Sequence, residues 1–203
     1  MDNYIVINNE RIDLTEDQIE RIVAARNAST VNLSAIPVGE TFRIGKYEFI
    51  VLEQFGEVTA VILKDLYCEE TEFSESGNNY DGSYVDLKCR EFAQELSDIV
   101  CWDNIVLHSV DLTSDDGLKD YGYVQRRASV LTADQYRRYV EILDKHKLDK
   151  WWWLATPNST ATHENANWIR CVSPSGDIFD FHCGIDNGVR PFCILKSNIF
   201  VSK

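Results

Sequence analysis

Long apolar runs are absent from this sequence. No stretch reaches about 18 consecutive apolar residues, the length that a membrane-spanning helix requires. The opening residues, Met1 to Tyr4, do not lead into a basic segment followed by an apolar core, so we expect no signal peptide. These two absences predict a cytoplasmic protein that makes no contact with a membrane.

Basic residues are also scarce. The chain has 20 Lys and Arg against 33 Asp and Glu, which gives a formal net charge of −13 at pH 7. Because clustered Lys and Arg attract the phosphates of nucleic acids and an acidic surface repels them, we expect no direct binding of nucleic acid. The charge instead favours a protein partner with a basic surface, such as a nucleic-acid-binding effector. Solubility alone also explains such acidity, and the sequence leaves this alternative and the oligomeric state open.

The cysteines lack the paired spacing of metal and redox motifs. The chain contains no CxxC among its six cysteines, which are Cys68, Cys89, Cys101, Cys171, Cys183 and Cys193. Without an export signal we expect them to be reduced thiols that mostly fill the core. The alternative is a zinc site formed by Cys171, His182 and Cys183, although their spacing fits no known ligand pattern. We therefore expect no cofactor.

Signatures of nucleotide binding and of nucleophilic catalysis are missing as well. The chain contains neither GxxxxGKS/T nor GxGxxG, so no phosphate cradle is predicted. A Cys–His pair such as Cys183 with His163 has no local signature to support it. These absences indicate a protein that is not an enzyme.

Aromatic residues, by contrast, are concentrated in the last third of the chain. The three consecutive residues Trp151–Trp153 form too large an apolar surface to stay exposed, so we expect them to nucleate a core. The Pro- and Gly-containing turn at 173–177 lies between two apolar runs, at 168–172 and 178–183, and predicts a β-hairpin. Arg190 lies in an apolar stretch, where we expect it to bind backbone carbonyls, with a ligand contact as the alternative.

Local patterns along the whole chain predict an α+β fold. Strands are expected at 41–44, 47–54, 58–64, 168–172 and 178–183, and helices at 84–96 after Ser83 and from Thr132 to about 146. Strands at 4–7 and 11–14 and a helix capped by Thr15 form an N-terminal strand–strand–helix element. We assign residues 1–34 to this accessory element and residues 35–203 to one main domain.

Two acidic segments are the candidates for binding a partner. Residues 65–81 and 111–120 are predicted to be irregular loops, and the first contains no Lys or Arg. Its carboxylates would provide the electrostatic attraction and its aromatic rings the apolar anchors. The predicted partner-binding residues are Tyr67, Glu69, Glu70, Glu72, Phe73, Glu75, Tyr80, Asp115 and Asp116.

One stretch of the chain resembles a known family. The pattern Trp-Trp-Leu-x-Thr-Pro, then two strands around a Gly turn, then Asn-Gly-Val-Arg-Pro is similar to a C-type-lectin-like domain of unknown function. The residues that carry the resemblance are Trp152, Trp153, Leu154, Thr156, Pro157, Gly176, Asn187, Gly188, Val189, Arg190 and Pro191. This domain is common in phages and mobile elements of Firmicutes, and it is distantly similar to formylglycine-generating enzymes and retroelement variable proteins.

The resemblance covers roughly residues 37–196 and implies a single C-type-lectin-like scaffold without agreed catalytic residues. The family often has Arg-Ser before the first Pro, where this chain has Ala155-Thr156. Together with the acidity, the resemblance predicts a non-catalytic phage or mobile-element protein that inhibits a host defence nuclease, as anti-CRISPR proteins do. The alternative function is that of a lectin-like module that binds a small ligand or another protein.

Overall fold

The computed structural model describes residues 4–7, 10–19 and 30–203, and it has an α+β architecture. Residues 16–19 are helical, and two longer helices follow, α1 at Tyr84–Val100 and α2 at Ala133–Leu143. The strands are β1 Tyr4–Ile7, β2 Glu10–Asp13, β3 Thr30–Asn32, β4 Thr41–Ile44, β5 Tyr47–Phe55, β6 Val58–Leu63, β7 Cys68–Glu72, β8 Ile105–Val106, β9 His108–Asp111, β10 Tyr123–Arg126, β11 Ala128–Ser129, β12 Trp152–Pro157, β13 Trp168–Val172, β14 Ile178–His182, β15 Asp186–Val189, β16 Phe192–Lys196 and β17 Phe200–Ser202.

The helix starts predicted at Ser83 and Thr132 are confirmed by their caps. The Ser83 hydroxyl accepts a hydrogen bond from the backbone N–H of Asp86 at 3.1 Å and so begins α1. At α2, Thr132 and Gln135 form a reciprocal capping box. Helix α1 runs to Val100, one turn beyond the predicted end, and stops where Cys101 adopts a positive φ of 67°. The helix ends there because a positive φ lies outside the right-handed helical region.

Two sheets form the body of the molecule. An eight-stranded sheet has the order β11-β16-β6-β5-β4-β17-β3, with β8 also paired to β16. A five-stranded sheet has the order β14-β13-β12-β15-β7. The predicted hairpin is confirmed, since β13 and β14 pair antiparallel with Cys171 opposite Phe179. Strands β7 and β14 are therefore the two edges of the five-stranded sheet.

Residues 30–32 form a strand of the main sheet, although the sequence pattern places them in the N-terminal element. Strand β3 pairs antiparallel with the C-terminal strand β17, and the following Leu33 is fully buried. The two N-terminal strands are confirmed, and β1 pairs with β2. The continuation of the predicted Thr15-capped helix beyond residue 19 lies outside the described residues.

The core lies on both faces of the five-stranded sheet. Successive side chains of a strand point to opposite faces, so Trp153 enters one cluster with Phe73 while Trp152 and Leu154 enter the other with Tyr136. Trp153 is 0% and Trp152 2% exposed, which confirms that these residues build the core. The indole N–H of Trp153 also donates to the backbone carbonyl of Thr71 at 2.7 Å.

Arg190 is a buried cation at the end of this sheet. Its guanidinium donates to the backbone carbonyls of Leu63 at 2.8 Å, Lys64 at 2.9 Å and His146 at 3.3 Å, and lies 5.3 Å from the centre of the Trp152 ring. The prediction of a carbonyl-bound arginine is therefore confirmed. Burial lowers the pKa of Arg190 to about 10, so it stays protonated at neutral pH.

All six cysteines are free thiols, as predicted, and Cys101 is the exposed one. Within the ranges given above, no helix combines the length and the apolar character needed to cross a membrane.

Candidate functional site

The acidic segment 65–81 contains a strand and is not the irregular loop that the sequence predicts. Strand β7 pairs antiparallel with β15, and Glu72 lies opposite Asp186. The prediction of a loop is wrong because β7 has no apolar alternation of its own. It forms through its pairing with a distant segment of the chain.

The aromatic residues of this segment are core residues and not partner anchors. Phe73 and Tyr80 are 0% exposed, and the Phe73 ring packs edge-on against Trp153 at 5.6 Å. Tyr67 is half-buried, and its hydroxyl donates to Glu95 at 2.8 Å. The prediction that Phe73 and Tyr80 contact a partner is therefore corrected, and Tyr67 is occupied within the fold.

The second acidic segment is likewise held by internal contacts. Asp115 accepts hydrogen bonds from Arg137 at 2.9 Å and from Arg170 at 2.6 Å. Burial opposes the ionisation of Asp115, but the two guanidinium groups outweigh it and lower its pKa. Asp115 thus ties residues 111–120 to α2 and β13, and its carboxylate oxygens are already occupied.

Asp116 fastens the same segment to the polar loop that follows β12. Hydrogen bonds from Ser114 and Ser159, and a further one from His163, lower the pKa of Asp116. Ser159 and His163 both bond one carboxylate oxygen, at 2.6 and 2.8 Å. In a catalytic triad the histidine imidazole lies between the serine hydroxyl and the carboxylate. Here Ser159 and His163 both bond Asp116 directly, so His163 does not activate the Ser159 hydroxyl as a nucleophile. Internal contacts therefore hold Asp115 and Asp116 in place, and their role in partner binding stays a prediction.

The predicted glutamates of β7 remain at the surface and line a groove between β7 and α1. We call this the β7–α1 groove; it has a volume of about 480 Å³. It is lined by Glu70, Thr71, Glu72, Tyr84, Leu87, Lys88, Glu91 and Asp186.

Carboxylates outnumber cations in the β7–α1 groove by four to one. The single ammonium group, on Lys88, already pairs with Glu91 at 2.8 Å. Glu70, Glu72 and Asp186 form no ion pair among the residues that the structure describes. Of the other predicted glutamates, Glu69 pairs with Lys150 outside the groove. The groove therefore carries unneutralised negative charge.

Two exposed apolar side chains of α1 lie in the same groove. Leu87 is 44% and Tyr84 38% exposed, and residues three apart share one face of a helix. The opposite face of α1 is buried through Val85, Cys89 and Phe92. Sequence reasoning missed Tyr84 and Leu87 as site residues, although their positions outside the buried stripe of α1 are the signal that identifies them.

Glu75 lies beside Tyr84 but does not itself line the groove. It is exposed and hydrogen-bonds the Tyr84 hydroxyl, which raises the pKa of Tyr84. The acidic residues predicted on β7 and the missed residues of α1 therefore form one surface.

Comparisons of this chain with protein-family models, with curated proteins and with solved structures found no match. The site is therefore interpreted from its own geometry.

The alternative zinc site is not assembled. Across residues 4–7, 10–19 and 30–203, no group of three or more His, Cys, Asp or Glu is placed to hold a metal ion. Cys171 and Cys183 are buried in the core, whereas His182 is exposed and its ring lies 6.0 Å from that of Trp168.

Three arginines on or near α2 are neutralised within the fold. Arg126 pairs with the buried Asp86 at 2.7 Å, Arg138 with Glu53 at 2.5 Å, and Arg137 with Asp115. They consequently do not offset the negative charge of the β7–α1 groove.

Proposed function

We propose that this chain is a non-catalytic binding protein whose β7–α1 groove docks on a basic surface of a partner protein. The observation that carries the proposal is the combination, in one groove, of unpaired carboxylates with exposed apolar side chains. Glu72 and Asp186 lie directly opposite each other on paired strands, and like charges in that position destabilise a sheet. A Lys or Arg from a partner relieves this repulsion.

The two kinds of side chain have different roles in such a complex. Leu87 and Tyr84 supply the apolar contact that slows dissociation. The carboxylates of Glu70, Glu72 and Asp186 accelerate encounter with a basic surface and make binding sensitive to salt. Carboxylates presented in this way take the place that phosphates occupy on a nucleic-acid-binding protein.

We further propose that the partner is a host defence nuclease, and that the chain is an anti-CRISPR-like inhibitor from a phage or mobile element. The support is the sequence resemblance, the net charge of −13 and the acidic groove. The C-type-lectin-like scaffold is part of this proposal. Its support is that Trp152, Trp153 and Arg190, which carry the resemblance, are packed at the centre of the fold.

The test is displacement of labelled DNA or RNA from a panel of purified CRISPR nucleases, followed by fluorescence anisotropy. We expect the parent chain to displace the nucleic acid. A groove variant with Glu70→Gln, Glu72→Gln and Asp186→Asn should require about tenfold more protein, because three partner contacts are weakened.

The matched control removes the same number of charges elsewhere. Glu40, Asp103 and Glu141 are exposed and lie outside the groove, so Glu40→Gln, Asp103→Asn and Glu141→Gln together should leave displacement unchanged. Equal displacement by the parent chain and the groove variant would contradict the proposed docking site.

A second candidate function rests on an aromatic surface next to β14. The Trp151 ring lies 4.7 Å from that of Phe181 and 5.3 Å from that of Phe179, which is 46% exposed. Exposed aromatic rings present a flat apolar face on which a sugar ring can stack, which favours a lectin-like role in ligand binding. Binding to a glycan array that Phe179→Ala abolishes would favour this function over docking through the groove.

A further inference from the structure

The β7–α1 groove runs along the open edge of strand β7. Three consecutive residues, Glu70, Thr71 and Glu72, all line it. Because successive side chains point to opposite faces of a sheet, a groove that touches three in a row lies at the strand edge. In the described sheet β7 has one strand neighbour, β15, so its other edge faces the groove.

An open strand edge presents unpaired backbone N–H and C=O groups, which are a template for another strand. The acidic side chains of β7 determine which strand fits. A second copy of this chain would bring a net charge of −13 against the same carboxylates, so self-pairing is disfavoured. A basic strand, in contrast, meets complementary charge along the edge and apolar contact from α1.

We propose that the groove takes an extended basic segment of the partner, which adds to β7 as a further strand of the five-stranded sheet. This inference rests on the proposed function and specifies how the basic partner binds. Backbone hydrogen bonds to β7 provide affinity, and side-chain contacts provide specificity.

The spacing of the carboxylates defines the partner sequence. Glu70 and Glu72 are two residues apart, so their side chains project on one face about 7 Å from each other. A segment with Lys or Arg at alternate positions matches this repeat. The basic side chain opposite Glu72 also meets Asp186, and an apolar residue of the segment packs against Leu87.

The test uses the whole chain, labelled for NMR, and short acetylated peptides with Lys at alternate positions and Val between them. Two further peptides carry N-methyl groups, one on the Lys residues and the other on the Val residues. Alternate peptide groups of a strand point to opposite edges. One methylated peptide should therefore bind at least about tenfold more weakly than the parent peptide, because methylation removes hydrogen bonds to β7.

The other methylated peptide should bind like the parent peptide, and the alternate amides of β7 that point to its open edge should exchange more slowly in the complex. Equal binding of both methylated peptides, or no binding of the unmethylated one, would overturn strand addition. The displacement assay tests separately whether the chain docks on a basic partner. If the two methylated peptides bind equally while the groove variant still requires about tenfold more protein to displace nucleic acid, the proposed function stands without strand addition.

Discussion

At the scale of single residues, Arg190 and His108 show how burial fixes a charge state. Arg190 is surrounded by carbonyl oxygens that its donors satisfy, so it remains charged inside the fold. His108 accepts or donates one hydrogen bond, to Ser129 at 3.0 Å, while its other ring nitrogen, Nδ1, lacks a partner. Burial therefore lowers the pKa of His108 to about 4.

Replacing Arg190 with Ala should lower the free energy of unfolding by about 3 kcal/mol, because buried carbonyls lose their donors. Urea denaturation measures the effect. The control is Arg43→Ala, which removes an exposed ion pair with Glu48 and should cost less than about 1 kcal/mol. If the two variants lost equal stability, the carbonyl contacts of Arg190 would not stabilise the fold.

The buried His108 predicts a pH dependence of stability. Its folded pKa of about 4 lies below the ordinary value of 6.5, so the unfolded chain takes up the proton first as the pH falls. Stability is fully present above pH 6.5 and is lost as the pH falls from 6.5 towards 4, by up to about 3 kcal/mol.

Denaturation in urea across this pH range tests the effect, with His108→Gln as the comparison. The variant removes the titrating group, so its stability should change less between pH 6.5 and 4. Parallel curves for the parent and the variant would show that other groups cause the pH dependence.

At the scale of elements, one face of helix α1 packs into the core and the opposite face lines the β7–α1 groove. Phe92 is 0% exposed and packs against Phe49 and Tyr67, whereas Leu87 faces the groove. The fully buried Asp86 in its first turn also bonds Arg126 and so fixes α1 against β10. These contacts make α1 a rigid wall for a bound segment.

Truncating a side chain on one face of α1 should lower stability, whereas truncating one on the other face should weaken partner binding. Phe92→Ala should cost about 3–5 kcal/mol of folding free energy because it opens a core cavity. Leu87→Ala should change stability by less than about 0.5 kcal/mol and should weaken partner binding instead. Thermal unfolding and the displacement assay separate the two effects. A strongly destabilised Leu87→Ala variant would contradict the exposed position of this residue.

At the scale of the whole molecule, the main feature is that some carboxylates are neutralised by ion pairs and others are not. Arg137 and Arg170 neutralise Asp115 in internal pairs, while Glu70, Glu72 and Asp186 of the β7–α1 groove form no ion pair among the described residues. Three carboxylates that a partner can bind therefore lie together beside β7. This distribution predicts where long-range electrostatic attraction acts.

The association rate of the chain with a basic partner surface should fall as salt is added, because salt screens attraction between exposed charges beyond about 8–10 Å. Stopped-flow measurements should give a shallower salt dependence for the groove variant than for the Glu40, Asp103, Glu141 control. Equal slopes for both would place the electrostatic attraction elsewhere on the surface.

The sequence by itself determined the features that depend on neighbouring residues. Caps at Ser83 and Thr132, the hairpin around Gly176, strands β4 to β6 and the burial of Trp152 and Trp153 follow from local patterns, and the structure confirms them. Capping, turn geometry and apolar periodicity act over a few residues, so they can be identified in the chain before it folds.

Only the tertiary structure decided which acidic residues are available at the surface. Strand β7 forms against β15, more than a hundred residues later, and its aromatic neighbours Phe73 and Tyr80 turn into the core. Asp115 is occupied because folding brings Arg137 and Arg170 to it. The sequence alone does not show whether a given carboxylate contacts a guanidinium group or water. Its availability depends on contacts between distant segments, which no local pattern encodes.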